Sequence, residues 1–128
     1  MFAQSARDTG ATRYVGDGQN RWPFVDVDDL AQLYVLALEK APPGSVYHGA
    51  HGASYRVHEV AEAASIGAGA KGKTQASPLD EARKTMGGFA DALVLDQQVS
   101  GEKAKRELGW SPRAASVLED LKTGSYTR

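Results

Sequence analysis

The chain has 128 residues, of which 41% are hydrophobic and 24% charged, and its formal net charge at pH 7 is −1. This length is typical of one domain, and a near-neutral charge argues against a general nucleic-acid binder, which is usually basic. There is no apolar run near the ~20 residues of a membrane helix, no signal-peptide pattern, and no cysteine for a disulfide or a Cys-ligated metal. We therefore expect a single cytoplasmic domain over residues 1–128, with no membrane or nucleic-acid partner.

The spacing of apolar residues predicts a helix-rich α/β chain with a few short strands. In the first half of the chain we expect a helix over 1–8, a strand over 11–15, a turn over 16–20, a short strand or extended lead-in over 24–27, a helix over 29–40 and a strand over 45–48. In the second half we expect a helix over 57–66, a short strand near 74–76 and a helix over 78–85. A helical or extended stretch over 90–95 and helices over 102–108 and 115–123 follow. Asp26 or Asp28 is the expected N-cap of the helix over 29–40, because an aspartate can accept hydrogen bonds from free backbone N–H groups.

Glycine is frequent, at 14 of 128 residues, and the segment 67–74, GAGAKGKT, matches the P-loop pattern. In a P-loop, backbone N–H groups hold phosphates, a lysine reaches the terminal phosphates and a threonine holds Mg²⁺. Asp96, which ends an apolar run, resembles the metal-binding end of a strand. A P-loop must follow a strand and open a helix, however, whereas here a predicted helix precedes it and Pro78 follows soon after. A P-loop nucleotide-binding protein is therefore the less favoured alternative, and the overlapping G-x-G-x-x-G dinucleotide pattern is disfavoured for the same reason.

The three histidines are His48, His51 and His58. Their spacing would allow them to converge on a metal, with oxygens from the acidic run over residues 26–29. Two of them flank a predicted turn, however, and a loop histidine is more often solvated or capping than a ligand. The acidic run is better explained by capping of the helix that follows. We expect no metal site.

Three stretches together are similar to a known family. They are residues 14–31 (YVGDGQNRWPFVDVDDLA), residues 44–48 (GSVYH) with the helix over 57–66, and residues 100–112 (SGEKAKRELGWSP). In this order they resemble the C-terminal half of extended or atypical short-chain dehydrogenases/reductases, the NAD-dependent epimerase/dehydratase family. The resemblance covers nearly all of the chain. It implies the C-terminal portion of a Rossmann-like fold, with the N-terminal cofactor-binding half absent.

The resemblance also implies where the redox chemistry of such proteins resides. Family members bind NAD or NADP on the N-terminal Rossmann half and use a Tyr-x-x-x-Lys pair, in which the lysine lowers the pKa of the tyrosine. None of the tyrosines here, at positions 14, 34, 47, 55 and 126, has a lysine four residues later. We therefore expect no catalytic residue, no cofactor-binding residue and no redox chemistry in this chain alone.

The resemblance suggests three substrate-binding residues. In sugar-nucleotide epimerases an arginine four residues after the Gly-x-x turn contacts the substrate diphosphate. Counted from Gly18, that position is Trp22, and Arg21 is one residue short, so Trp22 is expected to form an apolar or stacking wall. Arg83 is the candidate for the second diphosphate arginine. Surface charge is the alternative role for both arginines. The pocket walls are expected from the helix over 29–40, the turn over 16–22 and the region 79–89.

Partners follow from the same resemblance. It implies that the strand over 45–48 joins a larger parallel sheet, so the chain alone would expose unpaired strand edges. We expect a homodimer, or a complex with a separate N-terminal Rossmann half. The leading hypothesis is the substrate-binding C-terminal part of an NAD(P)-dependent epimerase/reductase-like protein that acts on a small molecule. The alternative is a stand-alone, non-enzymatic module for small-molecule binding or dimerisation.

Overall fold

The computed structural model describes residues 1–127. The elements in chain order are α1 (Phe2–Thr9), β1 (Thr12–Val15), β2 (Arg21–Trp22), α2 (Val27–Lys40), β3 (Tyr55–Arg56), α3 (Val57–Gly67), β4 (Thr74–Ser77), α4 (Leu79–Met86), α5 (Phe89–Leu93), α6 (Glu102–Leu108), α7 (Val117–Thr123) and a final 3₁₀ turn (Ser125–Thr127). This is the helix-rich α/β architecture that the sequence predicts. No helix within residues 1–127 is long and apolar enough to cross a bilayer.

The strands form two small sheets. β1 and β4 pair in parallel, and their last residues, Val15 and Ser77, lie opposite each other. β2 and β3 pair antiparallel, which sets Trp22 opposite Tyr55. Because parallel strands end at the same edge, the segments that follow β1 and β4 leave the sheet side by side.

α3 and α7 pack together through small side chains. Val60, Ala63 and Ala64 on α3 form a buried cluster with Leu121 on α7. Alanines keep the α3 surface low, so the backbone of α7 comes close to it. At Gly67, the last residue of α3, a Cβ atom would overlap the carbonyl oxygen of Leu121. This close contact holds the C-terminal part of the chain against its centre.

A second buried cluster joins α2 to α6. It contains Leu33 of α2, Ala104 and Leu108 of α6, and Trp110 just after α6. The indole Nε1–H of Trp110 donates to the backbone oxygen of Asp29 at 2.8 Å. The family-like stretch over residues 100–112 is therefore a packing element that attaches the C-terminal region to α2.

The predicted helix ends are largely confirmed. The carboxylate of Asp26 accepts hydrogen bonds from the backbone N–H groups of Asp28 (2.8 Å) and Asp29 (3.3 Å), so Asp26 is the N-cap of α2. Gly10 and Gly109, with φ of 74° and 70°, end α1 and α6 in the left-handed conformation. Such positions favour glycine because it has no Cβ to clash.

The strand predicted over residues 45–48 is wrong, because this stretch pairs with no strand within residues 1–127. A β-strand requires a neighbour that takes its alternating backbone hydrogen bonds. Here the N–H of Ser45 instead donates to the carbonyl of Pro42 at 3.1 Å, in a turn that follows α2. In the stretch 24–27, residues 24–26 form the extended lead-in that was one of the two predicted alternatives, and Val27 begins α2.

The P-loop-like segment 67–74 connects α3 to β4. A helix precedes it and a strand follows, which reverses the order that a P-loop needs. The glycines here form a helix end and a turn, in which Gly69 and Gly72 have φ of 82° and 78°.

Candidate functional site

Two grooves meet at the aromatic pair formed by Phe2 and Trp22. The smaller, about 360 Å³, lies between α1, β1 and α4 and is called the α1 groove. The larger, about 890 Å³, runs from α1 to α7 and is called the α7 groove. Both side chains line both grooves, and their rings stack with centroids 5.9 Å apart and planes 6° from parallel. The pair therefore forms a flat apolar wall shared by the two grooves.

The α1 groove opens at the edge where the parallel strands end. Its lining includes Val15 and Ser77, the last residues of β1 and β4. In open α/β sheets, ligands bind in the crevice outside the carboxyl ends of the strands. Met86 of α4 and Leu93 of α5 add apolar surface to the same lining. The α1 groove is therefore the best candidate site in the described residues.

The turn between β1 and β2 places Trp22, and it depends on Gly18. This glycine has a φ of 70°, and its carbonyl accepts a hydrogen bond from the N–H of His58 at 3.0 Å. A Cβ added there would lie 2.8 Å from the ring of Tyr14 and 2.9 Å from the Cβ of His58. The glycine therefore lets the turn pack against the start of α3, and its role is structural.

Arg21, a predicted substrate contact, is held by Asp96. The Nε–H and Nη2–H groups of Arg21 donate to the two carboxylate oxygens at 3.0 and 2.7 Å, and its backbone N–H donates at 2.8 Å. The side-chain and then the backbone hydrogen bonds lower the pKa of Asp96 from its ordinary 3.8 to about 2. The same carboxylate raises the pKa of Arg21. The Arg21 guanidinium is thus engaged within the chain.

Asn20 extends this contact along the segment that follows α5. Its side-chain Nδ2 donates to the carbonyl oxygens of Leu93 (3.0 Å) and Leu95 (3.1 Å). The N–H of Gln97 donates to the carbonyl of Arg21 at 2.8 Å. The segment 93–97 is therefore fixed onto the turn that carries Trp22.

Arg83 on α4 is also bonded to carboxylates. It donates to Asp80 at 2.7 Å and to Asp91 at 3.1 and 2.6 Å. These hydrogen bonds raise the pKa of Arg83, and the bond to Arg83 lowers the pKa of Asp91. Arg83 joins α4 to α5, and it does not line the α1 groove. The structure therefore brings only Trp22, of the three predicted residues, into the groove lining.

The three histidines do not form a metal-binding cluster with one another. Within residues 1–127 there is no group of three or more His, Cys, Asp or Glu side chains that could hold a metal ion. The ring of His58 meets the ring of Tyr14 edge-on, with centroids 5.6 Å apart. His51 lines the α7 groove.

Comparison with known proteins relates part of the chain to a family. The sequence model of the family described as NAD dependent epimerase/dehydratase matches residues 1–49, which contain α1, β1, β2 and α2. Over 98% of the chain, the fold superposes on 41% of RMD from Pseudomonas aeruginosa, solved in complex with NADPH, with a TM-score of 0.65 and 19% identity. Residues 1–49 therefore match the NAD-dependent epimerase/dehydratase family, and the chain shares the fold of part of RMD.

Two curated relatives of the chain come from yeasts. An uncharacterized protein of Schizosaccharomyces pombe is 32% identical over 131 residues, which is 98% of this chain and 42% of the relative. An uncharacterized protein of Saccharomyces cerevisiae is 34% identical over 119 residues, which is 91% of this chain and 39% of the relative. The chain thus spans about two-fifths of the length of the relatives it matches.

Within residues 1–127, neither strand of the parallel sheet leads into a glycine-rich turn that opens a helix. The pyrophosphate of NAD or NADP rests on a glycine-rich turn that leaves a strand and opens a helix. β1 leads through its glycine turn into β2, a strand, and β4 leads through Pro78 into α4 with no glycine between them. In the described part of the chain, neither β1 nor β4 is therefore followed by a glycine-rich turn that opens a helix.

Three features of the α1 groove and its surroundings were not predicted from the sequence. Phe2 was assigned only to a helix, because its stacking partner lies 20 residues further along the chain. Asp96 resembled a metal ligand, whereas it is the partner of Arg21. The groove wall expected from the helix over 29–40 comes from α1 instead. Each of these depends on contacts that sequence spacing does not record.

Proposed function

We propose that this chain is the substrate-binding part of an NAD(P)-dependent epimerase/reductase-like protein and does no redox chemistry alone. The observation that carries the proposal is the α1 groove, which has an aromatic wall and opens where β1 and β4 end. A small-molecule substrate in this groove would lie against Phe2 and Trp22. This position agrees with the edge at which α/β proteins hold their ligands.

The chemical step is assigned to residues outside this chain. Tyr14 is the tyrosine of the α1 groove, and its ring contacts His58 rather than a lysine. The residue four positions after Tyr14 is Gly18 rather than a lysine, so this tyrosine lacks the Tyr-x-x-x-Lys pairing used for proton exchange with a substrate hydroxyl. The chain therefore supplies the binding surface, and the cofactor and proton donor would come from another part of the family fold.

An exposed apolar stripe on α2 supports the proposal that another part of the family fold supplies the cofactor. Val27, Tyr34, Val35 and Leu38 lie on one face of the helix, opposite buried Leu33, and all four are more than half exposed. Side chains at these spacings form a continuous apolar surface, and such a surface marks an interaction site. We propose that the cofactor-binding part of the family fold covers it, on the same or another polypeptide. The greater length of the yeast relatives supports this occupant.

The α1 groove can be tested by fluorine NMR after 5-fluorotryptophan labelling. The chain has two tryptophans, and Trp110 is buried away from the groove, so it serves as an internal control. A Trp22→Phe variant assigns the two signals. The ligands are small hydroxyl and carbonyl compounds that are neutral, singly acidic or nucleotide-linked, and NADPH is tested separately.

We expect at least one compound to shift the Trp22 signal saturably and leave Trp110 unchanged. NADPH should shift neither signal, because no glycine-rich turn within residues 1–127 leaves a strand and opens a helix. The proposal fails if no compound in the panel shifts the Trp22 signal. Saturable binding of NADPH would show that this chain holds the cofactor, and would contradict its assignment to the substrate side.

A further inference from the structure

We infer that the α1 groove takes a small molecule with a planar apolar body and a single acidic group, which Arg13 recognises. This inference rests on the proposed function of the groove and adds the chemical class of the substrate. It depends on the aromatic wall, on which of Arg13, Arg21 and Arg83 are already paired with carboxylates, and on the charge of the groove lining.

The apolar body is indicated by the groove wall. The rings of Phe2 and Trp22 are nearly parallel, and they face a lining to which Val15, Met86 and Leu93 contribute aliphatic surface. A flat apolar group fits such a space because it buries both faces against apolar atoms.

Arg13 provides the cation. It lies in the middle of β1, lines the α1 groove, and its side chain is exposed. Its backbone N–H donates to Ser5 Oγ at 3.3 Å, which attaches this part of the strand to α1. Within residues 1–127 its guanidinium has no hydrogen-bond or ion-pair partner. Arg21 and Arg83, by contrast, are bonded to carboxylates. Arg13 is therefore the arginine that is free to bind an acid in this groove.

The charge of the lining favours one acidic group over a diphosphate. Arg13 and Glu81 are the charged side chains among the lining residues, so their formal charges cancel. Glu81 is itself 3.5 Å from the ammonium of Lys84. A carboxylate can pair with Arg13 through two parallel hydrogen bonds. The further charges of a nucleoside diphosphate would find no second cationic side chain in this lining.

Two matched ligands test the inference: phenylacetate, and its neutral analogue 2-phenylacetamide. Their dissociation constants are measured from the Trp22 signal of the fluorine-labelled chain. We expect the amide to bind about tenfold more weakly than the acid, because it forms no charge-assisted pair. Arg13→Gln should weaken phenylacetate binding about tenfold and leave amide binding unchanged. Trp22→Leu, followed by proton NMR of the ligands, should weaken both alike.

Arg106→Gln is the matched control, because Arg106 is an exposed arginine on α6 that does not line the groove. It should change neither dissociation constant. Equal binding of acid and amide, or an unchanged acid affinity in Arg13→Gln, would overturn the inference. If pyrophosphate or UDP-glucose shifts the Trp22 signal and phenylacetate does not, the substrate class is wrong but the groove still binds substrate. If no ligand of either kind shifts Trp22, both proposals fail.

Discussion

At the scale of single residues, Asp29 shows how one carboxylate connects distant parts of the chain. It is only 3% exposed, and its oxygens accept hydrogen bonds from the backbone N–H groups of Arg113 and Ala114 at 2.9 to 3.1 Å. Its own backbone oxygen accepts the indole N–H of Trp110. The acidic run at the start of α2 therefore has two roles, because Asp26 caps the helix while Asp29 holds the segment after α6.

Replacing Asp29 with alanine should lower the free energy of unfolding by about 1–3 kcal/mol, because two backbone N–H groups would lose their acceptor. Asp29→Asn should cost less, since one side-chain oxygen remains. Urea denaturation of both variants measures the difference. Exposed Asp28 provides the control, and Asp28→Asn should change stability by no more than about 0.5 kcal/mol. Equal stability of wild type and Asp29→Ala would contradict this role.

The Arg21–Asp96 pair should make stability depend on pH in acid. The pKa of Asp96 is about 2 in the folded chain, below its ordinary 3.8, so folding favours the charged form. Its contribution is complete above pH 3.8 and is lost as the pH falls towards 2. Asp96→Asn should therefore lower the urea midpoint at neutral pH, and the difference from wild type should shrink near pH 2.

The effect should be modest, because both side chains are more than a third exposed. Glu39→Gln on α2 removes an exposed carboxylate elsewhere and should show no such convergence with wild type in acid. A constant difference between Asp96→Asn and wild type across this pH range would show that the loss does not arise from the ionised pair.

At the scale of elements, the contact between α3 and α7 determines what the glycine-rich segment does. The buried face of α3 is mostly alanine, and Gly67 ends the helix where the α7 backbone passes. That glycine is the first residue of the P-loop-like string. Its small size serves helix packing, and this explains a motif that sequence alone reads as a phosphate binder.

Gly67→Ala should therefore destabilise the chain by about 1–3 kcal/mol, because the new methyl group would overlap the carbonyl of Leu121. Gly88→Ala is the control: Gly88 has a φ of −64°, and an added Cβ would meet no atom within 4 Å. Thermal unfolding of both variants distinguishes packing from a general glycine effect. If the two variants unfold at the same temperature, the close approach of the α7 backbone at Gly67 does not contribute to stability.

At the scale of the whole molecule, several surfaces have no partner within residues 1–127. The parallel sheet has two strands, whereas parallel sheets are usually larger and covered on both faces. The α2 stripe lies on the surface, and Leu38 at its centre is 87% exposed. Both features agree with the share of RMD that the chain matches, which is 41%. They support a covering partner, as proposed above.

Leu38→Lys should weaken binding of that partner by about tenfold or more, since a lysine would be buried unpaired in the interface. The partner for the test is the part of the Schizosaccharomyces pombe relative that this chain does not match, expressed separately and titrated by calorimetry. Gln32→Lys, also exposed on α2 but off the stripe, should leave affinity unchanged. No binding by wild type, or a homodimer in light scattering that Leu38→Lys dissociates, would overturn this choice of occupant.

The sequence by itself determined the features that depend on neighbouring residues. The apolar spacing of α2, α3 and α7, the cap at Asp26 and the bounds of the helix over 102–108 are confirmed, because each signal and its partner lie within about one helical turn. The three family-like stretches were also readable in the sequence, and the family match over residues 1–49 confirms the first of them.

The tertiary structure alone decided the features that join residues far apart. Arg21 and Asp96 lie 75 positions apart, so no spacing rule pairs them, and the pairing removes Arg21 as a free cation. Residues 45–48 have the composition of a strand, but a strand exists only where another strand accepts its hydrogen bonds. The α1 groove likewise arises where helix, strand and turn meet. Local chemistry therefore fixed the helices, whereas long-range contacts decided which of the side chains near the candidate site remain free to bind a ligand.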